Sequence, residues 1–447
     1  MAVLLAIGIL RGIETKADSQ LQDRPAAMPL SLKRAVEIAT APEGNARVQI
    51  ADELIKQAES HVSQARAALL PNFDGSLSEF SRTTNLASFG FNFPSTPGFT
   101  FPTVVGPYRV FDLRVSGSQS VFDLSSIRRL QSAKTAAQAT KADARGTRDQ
   151  IADQVSRAYL IGLRAEATLD TARSNVELSE ALVRLATSQK AAGTGTGIEI
   201  TRAQVQLAND RQRLTVAQND RERSHLQLMR VLGLKFDGGI ALTDKLAYKP
   251  LGDVAADPAV KVAFDGRAEL KAQQDRELST HINYGATKWE RLPSLAFSGD
   301  YGTIGGGIES AVPTHSYGVT VRLPIFDGGR RDARRLESES QWRVETLRTR
   351  DLKEQIELDV RLAIDSLRSA DAQVAVAKEG LDLAQKELEQ ARRRYEAGVT
   401  NSIEVTDAQT RLQRARDNRI AALFAHNLAR IDLHTASGTI QDLVNSF

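Results

Sequence analysis

Residues able to do covalent or metal chemistry are few and scattered. The chain has no Cys, which excludes disulfides, thiolate metal sites and a lipid attached through a thiol. Its six His are dispersed. His426 and His434 stand eight apart and can share a helix face, but no carboxylate lies at metal-ligand spacing from them. Gly193-Thr-Gly195-Thr-Gly197 has the look of a phosphate cradle, yet it lacks both the Lys-Ser/Thr ending and a preceding strand, so it reads as a turn. The run Gly305-Gly306-Gly307 reads as a hairpin loop. There is no nucleophile elbow and no paired catalytic carboxylate. The expectation is a protein that is not an enzyme, with no catalytic, metal or cofactor site and no cofactor.

What remains is charge placed without covalent chemistry. Glu199, Glu404 and Asp407 follow closely on glycine-bearing turns, at Gly193–Gly197 and at Gly398–Asn401. Acidic residues in the first turn of a helix are favoured by the macrodipole. In a symmetric assembly the same residues would form rings of charge around a passage, tuning cation selectivity and gating. Both readings stand, and one residue can serve both.

The elements that carry these residues are long helices. Charged residues make up 25% of the chain and aromatics only 5%, with two Trp and three Met, so bulky core residues are scarce. Helices packed closely through small side chains suit that composition. Lys and Arg number 58 against 55 Asp and Glu, and the two signs are interleaved, which gives no basic face for nucleic acid. Residues 1–29 are expected to be a signal or N-terminal tail: Ala2–Leu10 is an apolar run too short to span a bilayer, and Thr15 and Ala17 give a small-x-small pattern. Nowhere else do about 18 apolar residues run together.

The sequence repeats itself. KAAGTGTGIEITRAQVQL matches YEAGVTNSIEVTDAQTRL, pairing Gly193 with Gly398, Glu199 with Glu404 and Gln204 with Gln409 at a constant offset of 205. Val121-Phe122-Asp123 matches Ile325-Phe326-Asp327 at 204, and Leu70-Pro71 matches Leu292-Pro293 at 222, which places an 18-residue excess between Pro71 and Phe122. The predicted organisation is a tail at 1–29, one copy at 30–234, a connector (equatorial region) at 235–256, a second copy at 257–438 and a C-terminal tail at 439–447. Each copy reads as helix, hairpin, long helix, turn, long helix. In the second, Ile356, Val360, Ala363, Leu367, Ala370, Val374 and onward to Leu388, Ala391 and Tyr395 alternate spacings of four and three, a heptad seam that demands neighbours. The first copy carries the same register from Ile151 to Ala186. Helix from Ser125 to Ala192 would run roughly 100 Å at 1.5 Å per residue. Periodicity alone fits an ordinary coiled-coil scaffold outside any membrane.

Four segments instead alternate with period two. Phe111, Leu113 and Val115 oppose Asp112, Arg114 and Ser116; Leu295 and Phe297 oppose Ala296 and Ser298; Tyr317, Val319 and Val321 oppose Gly318, Thr320 and Arg322; Phe73 and Leu77 oppose Asp74, Ser76 and Ser78. Strands of about 9–11 residues cross a bilayer when tilted. A half-buried soluble hairpin has the same alternation, but here the opposite face carries Asp and Arg, as a watery lumen requires. Four strands cannot close a barrel, and an open edge in lipid leaves backbone groups unpaired. Three chains would supply twelve strands. Between the first two strands lies a Phe-rich loop (Phe89, Phe91, Phe93, Phe99, Phe101), either a cover for the mouth of a barrel or an unstructured insertion.

The order LLPNF at 69–73, RLPSL at 291–295, LPIFDGG at 323–329 and YEAGVTNSIEVTDAQ at 395–409 resembles the TolC-like outer-membrane efflux family over nearly the whole chain from Leu30. The resemblance implies an α+β membrane protein: long antiparallel coiled-coil helices, a four-strand contribution to a trimeric 12-stranded transmembrane β-barrel, and an internal two-fold tandem repeat. It implies a homotrimeric export duct in the outer membrane, with helices extending into the periplasm, that works with a periplasmic adaptor (membrane fusion) protein and an inner-membrane pump. Phe111, Leu113, Val115, Leu295, Phe297, Tyr317, Val319 and Val321 would face lipid. Gly193, Gly197, Gly398 and Thr400 would mark the adaptor-docking turns. Tyr395 and Asp407 match family gate positions, with Glu199 and Glu404 beside them; Thr400 stands where a basic residue is common.

Overall fold

The computed structural model describes residues 28–90, 98, 102–236, 238–250, 252 and 254–446. The expected signal segment and Phe91, Phe93, Phe99 and Phe101 lie outside the described residues. The chain divides into two compact units. The first comprises Met1–Glu53, Ala142–Leu270 and Asp351–Phe447; the second comprises Leu54–Lys141 and Lys271–Arg350.

Elements follow in the order β1 (Met28–Leu30), α1 (Leu32–Thr40), α2 (Ala46–Ala67), β2 (Asn72–Asn85), β3 (Val104–Phe122), α3 (Leu124–Ala191), α4 (Gly197–Leu232), β4 (Ile240–Leu242), α5 (Ala256–Gly266), α6 (Ala268–Trp289), β5 (Ser294–Gly305), β6 (Val312–Arg322), α7 (Arg330–Glu396), α8 (Ser402–Ala436) and α9 (Ile440–Ser446). Among the described residues no helix is long and apolar enough to cross a membrane.

In the first unit, α1 is short because Ser31 caps it, its side chain accepting from the Arg34 amide, and because Pro42 follows its end. Leu32, Ala35, Val36 and Ala39 fall at helical spacing and are all buried. They pack with Ile151, Val155 and Tyr159 of α3, Leu228 and Leu232 of α4, and Ile440 and Leu443 of α9. A second core gathers Val260 and Ala263 of α5, Ile356, Val360 and Leu367 of α7, and Leu433 of α8. The heptad seam is thus a buried seam. Three polar contacts fix the edge of the first core: the Tyr159 hydroxyl donates to Leu30 O (2.8 Å) and lies 2.7 Å from Asp244 Oδ2, which also accepts from the Leu32 amide at 2.8 Å.

Three features differ from the expectation. Each half has two helices before its hairpin rather than one, broken at Pro42 in the first and at Arg267, whose ψ of 114° is not helical, in the second. The connector is not featureless: β4 pairs in parallel with β1, Met28 opposite Ile240. Residues 440–446 form a helix with Leu443 fully buried, not a tail. Segments of three or seven residues are too short for periodicity to reveal.

The second unit holds a four-stranded antiparallel sheet, ordered β2-β3-β5-β6, with parts of α2, α3, α6 and α7. Its helices meet through small residues. Ser132 and Ser279 exchange reciprocal hydroxyl-to-carbonyl bonds of 2.9 Å across α3 and α6, a separation that larger side chains would prevent. Farther along, His281 stacks on Trp342 at 4.4 Å. β6 runs 11 residues, within the expected 9–11, while β2, β3 and β5 run 14, 19 and 12, because their backbone pairing continues past the alternating stretch.

Candidate functional site

Register assigns the sheet's faces. Directly opposed residues in an antiparallel pair share a face. Leu77 opposes Leu113, Val115 opposes Tyr301, Phe297 opposes Val319, and Leu295 opposes Val321. The eight apolar positions read from sequence therefore lie on one face. Leu113, Val115, Phe297, Tyr317, Val319 and Val321 are exposed, Tyr317 at 80%, while Phe111 and Leu295 are half-buried. A soluble sheet does not leave such a face bare. The other face is polar and internally bonded: the Arg114 guanidinium donates to Asp112 (3.3 Å) and to Asp300, which also accepts from the Ser316 hydroxyl. Gly302 is required here, since a Cβ would stand 2.3 Å from the carbonyl oxygen of Leu113. Among the described residues β2 and β6 are the sheet's outer strands, each paired on one side only.

At the α3–α4 turn, Gly193 takes φ +78°, and the Thr194 and Gly195 amides both donate to Gln189 O at 3.0 Å. Gly197 is not in the turn itself but is the first residue of α4. At the α7–α8 turn, Gly398 takes φ +70° and the Val399 amide donates to Arg394 O at 2.9 Å. Only glycine adopts this left-handed backbone without strain, so it closes both helices. Ile198, Val399 and Ile403 are exposed beside these turns.

The three acidic candidates have separate environments. Glu199 Oε2 accepts from the Thr196 amide at 2.9 Å, capping α4. Glu404 accepts from the Thr400 hydroxyl and lies 3.5 Å from Arg394. Asp407 pairs with Arg411 at 2.6 Å, and Arg411 also holds Glu387 at 2.7 Å. Tyr395 is buried in a cluster with Leu182, Leu388, Val405 and Leu412, and its backbone carbonyl accepts from Gln189 Nε2 of α3. Burial, and then the nearby negative charge of Glu199, push the Tyr395 hydroxyl up from its ordinary value. The structure thus brings Tyr395 and Glu199 together, while Glu404 and Asp407 stand apart, each with its own arginine.

Below Tyr395 lies a buried polar layer that sequence reading did not single out. Asp210 of α4 is 1% exposed; its Oδ2 accepts from Ser179 of α3 at 2.6 Å, and Ser179 Oγ accepts from Gln409 of α8 at 2.6 Å. One buried side chain from each of three helices meets there. The signal available was Ser179 at a seam position, which small-residue patterning disguised. Among the described residues no group of three or more His, Cys, Asp or Glu is placed to hold a metal ion.

The profile of the family described as outer membrane efflux protein matches residues 38–234 and 260–439. The chain belongs to that family. The toluene efflux pump outer membrane protein TtgF of Pseudomonas putida is 26% identical over 307 residues, 66% of this chain and 62% of that protein; the match spans less than two thirds of that relative's length. The Campylobacter jejuni CmeC outer membrane channel has the same fold, with a TM-score of 0.76 at 16% identity over 93% of this chain and 88% of that one. VceC of Vibrio cholerae superimposes with a TM-score of 0.74 at 18% identity over 91% and 96%. Membership in the outer membrane efflux family places the chain in the outer membrane.

Proposed function

We propose that this chain is one third of a passive export duct. Three copies join their four-stranded sheets into a 12-stranded barrel in the outer membrane, and their paired helices continue as a tunnel into the periplasm. The 205-residue offset supports an internal two-fold repeat: α3 ends at Ala191 and α7 at Glu396, α4 begins at Gly197 and α8 at Ser402. The observation that carries the reading is the sheet itself. It has one bare apolar face, one polar face and two open edges. Open edges in hydrocarbon cost several kcal/mol per unpaired group, so closure by further copies is required.

In this reading Phe111, Leu113, Val115, Leu295, Phe297, Tyr317, Val319 and Val321 contact lipid, and the Arg114–Asp300 face lines the lumen. The turns around Gly193, Gly197, Gly398 and Thr400, with Ile198 and Val399 exposed on them, dock a periplasmic adaptor that links the duct to an inner-membrane pump. The pump in TtgF's name supports such partners. Tyr395, Glu199, Glu404 and Asp407 form the region that closes the periplasmic entrance.

Val319→Arg combined with Val321→Arg tests the lipid face. Each Arg at bilayer mid-depth costs about 2–4 kcal/mol, so the double variant is expected to fail to accumulate as assembled protein in outer-membrane fractions. Thr320→Arg, one residue away on the polar face, should assemble. Normal assembly of the double variant would end the proposal.

A further inference from the structure

Each pair of long helices buries one imidazole against one carboxylate. On α8, His426 is 0% exposed, and its Nε2 lies 3.0 Å from Asp371 Oδ1 of α7. The Tyr248 ring packs against it at 4.8 Å. On α4, His225 is 5% exposed, with Nε2 3.3 Å from Glu166 Oε1 of α3. Neither Nε2 has a well-aligned hydrogen-bond partner.

The two clusters are related by the offset that runs through the chain. Glu166 and Asp371 differ by 205, as do Arg221 and His426, and His225 and Arg430. Each cluster therefore has a carboxylate on the first long helix and an Arg and a His four residues apart on the second, where they share a face. The order is reversed: Arg221 then His225 on α4, His426 then Arg430 on α8. Position is exchanged, and the first cluster adds a second carboxylate, Glu222, bonded to Arg221 at 2.7 Å. With the imidazole neutral, Asp371 and Arg430 cancel around His426, whereas Glu166 and Glu222 outnumber Arg221 around His225. Protonation therefore balances the first cluster but leaves the second with one unbalanced positive charge beside the buried His426 and Arg430, an expensive state.

We propose that the His426 cluster is a proton-sensitive joint between α7 and α8, closed when the imidazole is neutral and loosened when acid adds a second cation beside Arg430, and that the His225 cluster, with its extra carboxylate, is its acid-tolerant counterpart. The groups facing His426 are Asp371 from α7, Arg430 from its own helix and the Tyr248 hydroxyl from the connector; those around His225 are Glu166 from α3 and Arg221 and Glu222 from α4. Burial and the neighbouring arginine hold both imidazoles below their ordinary value, against the pull of a carboxylate. The inference rests on the duct reading only for its consequence, that acid loosens the helices of the tunnel wall. The joint itself stands on the geometry of one chain.

Hydrogen–deuterium exchange on the purified full chain, with rates corrected for the intrinsic effect of pH, tests this. Between pH 7.5 and 5.5, peptides containing Asp371 and His426 should exchange several-fold faster, and those containing Glu166 and His225 much less so. Peptides from β5 and β6 should not change. In the variant His426→Gln, whose amide does not titrate, the acid response should vanish, and Asp371→Asn should move the α7–α8 response to lower pH. A wild-type chain with no acid response at the Asp371 and His426 peptides, or an equal response in the glutamine variant, would overturn the proposal. Bilayer conductance at pH 7.5 reads the duct reading separately, because it is measured with the joint closed.

Discussion

Single side chains are responsible for two constraints here, and both are hydrogen-bond hubs rather than chemistry. Tyr159 ties β1 to the connector through Leu30 O and Asp244. Tyr159→Phe keeps the ring in its buried place and deletes the hydroxyl, so it should cost about 1–2 kcal/mol, read as a lower midpoint of heat-induced unfolding. Asp210 is the costlier loss, because Ser179 and Gln206 both donate to it where water does not reach. Asp210→Ala should therefore destabilise the turn end of α3–α4 more than Tyr159→Phe destabilises the first core; limited proteolysis near Gly193 would read this. Acid enters at this scale as well. His434 is held below the ordinary imidazole value, first by burial and then by Arg430, so the unfolded chain binds a proton more readily than the folded one. Its contribution to stability is complete above pH 6.5 and falls as pH drops through the lower folded-state value. In wild type the unfolding midpoint should fall between pH 7.5 and 5.5, and His434→Gln should shallow that fall; an unchanged slope in the variant would remove His434 from the account.

Elements were legible from sequence in proportion to their length. The seam from Ile356 to Tyr395 could be read because twelve positions at alternating spacings of four and three leave no other period, and Ile356, Val360, Leu367 and Leu388 are buried where the spacing puts them. The strand faces could be read because alternation fixes a face once a single register is known. What could not be read depends on partners far away in sequence. β1 is three residues whose only reason to be a strand is Ile240–Leu242, more than two hundred positions on. The Tyr395–Glu199 approach and the Ser179–Asp210–Gln409 layer need the helix pairs to be docked before they exist. The last helix, α9, belongs to this class. It is too short to be stable alone, yet Ile440, Leu443 and Val444 are buried in the first core. Full burial of each is worth about 1.5–3 kcal/mol. Ending the chain at Thr439 should uncover Leu228 and Leu232 and lower the yield of folded protein sharply, whereas alanine at exposed Gln441 should be silent.

At the scale of the whole molecule, the decisive feature is that β2 and β6 are both edges. Within one chain they are separated by β3 and β5. At about 4.8 Å per strand step, three steps place them roughly 14 Å apart, twice the reach of a disulfide, whose Cα atoms lie within about 7 Å. The absence of native Cys makes this separation usable. Ser78 of β2 and the positions Thr314, Ser316, Gly318 and Thr320 of β6 lie on the same polar face by register. A chain carrying Ser78→Cys together with Cys walked along those four β6 positions can form a disulfide only with another copy. If three copies close a barrel, one or two of the four pairings should oxidise efficiently in membranes and give a covalent trimer with no larger ladder, because closure at three leaves no free edge. A ladder that continues past three would mean that the edges propagate instead of closing. No cross-link at any of the four positions would mean that β2 and β6 do not meet, and the sheet would need some other cover for its edges.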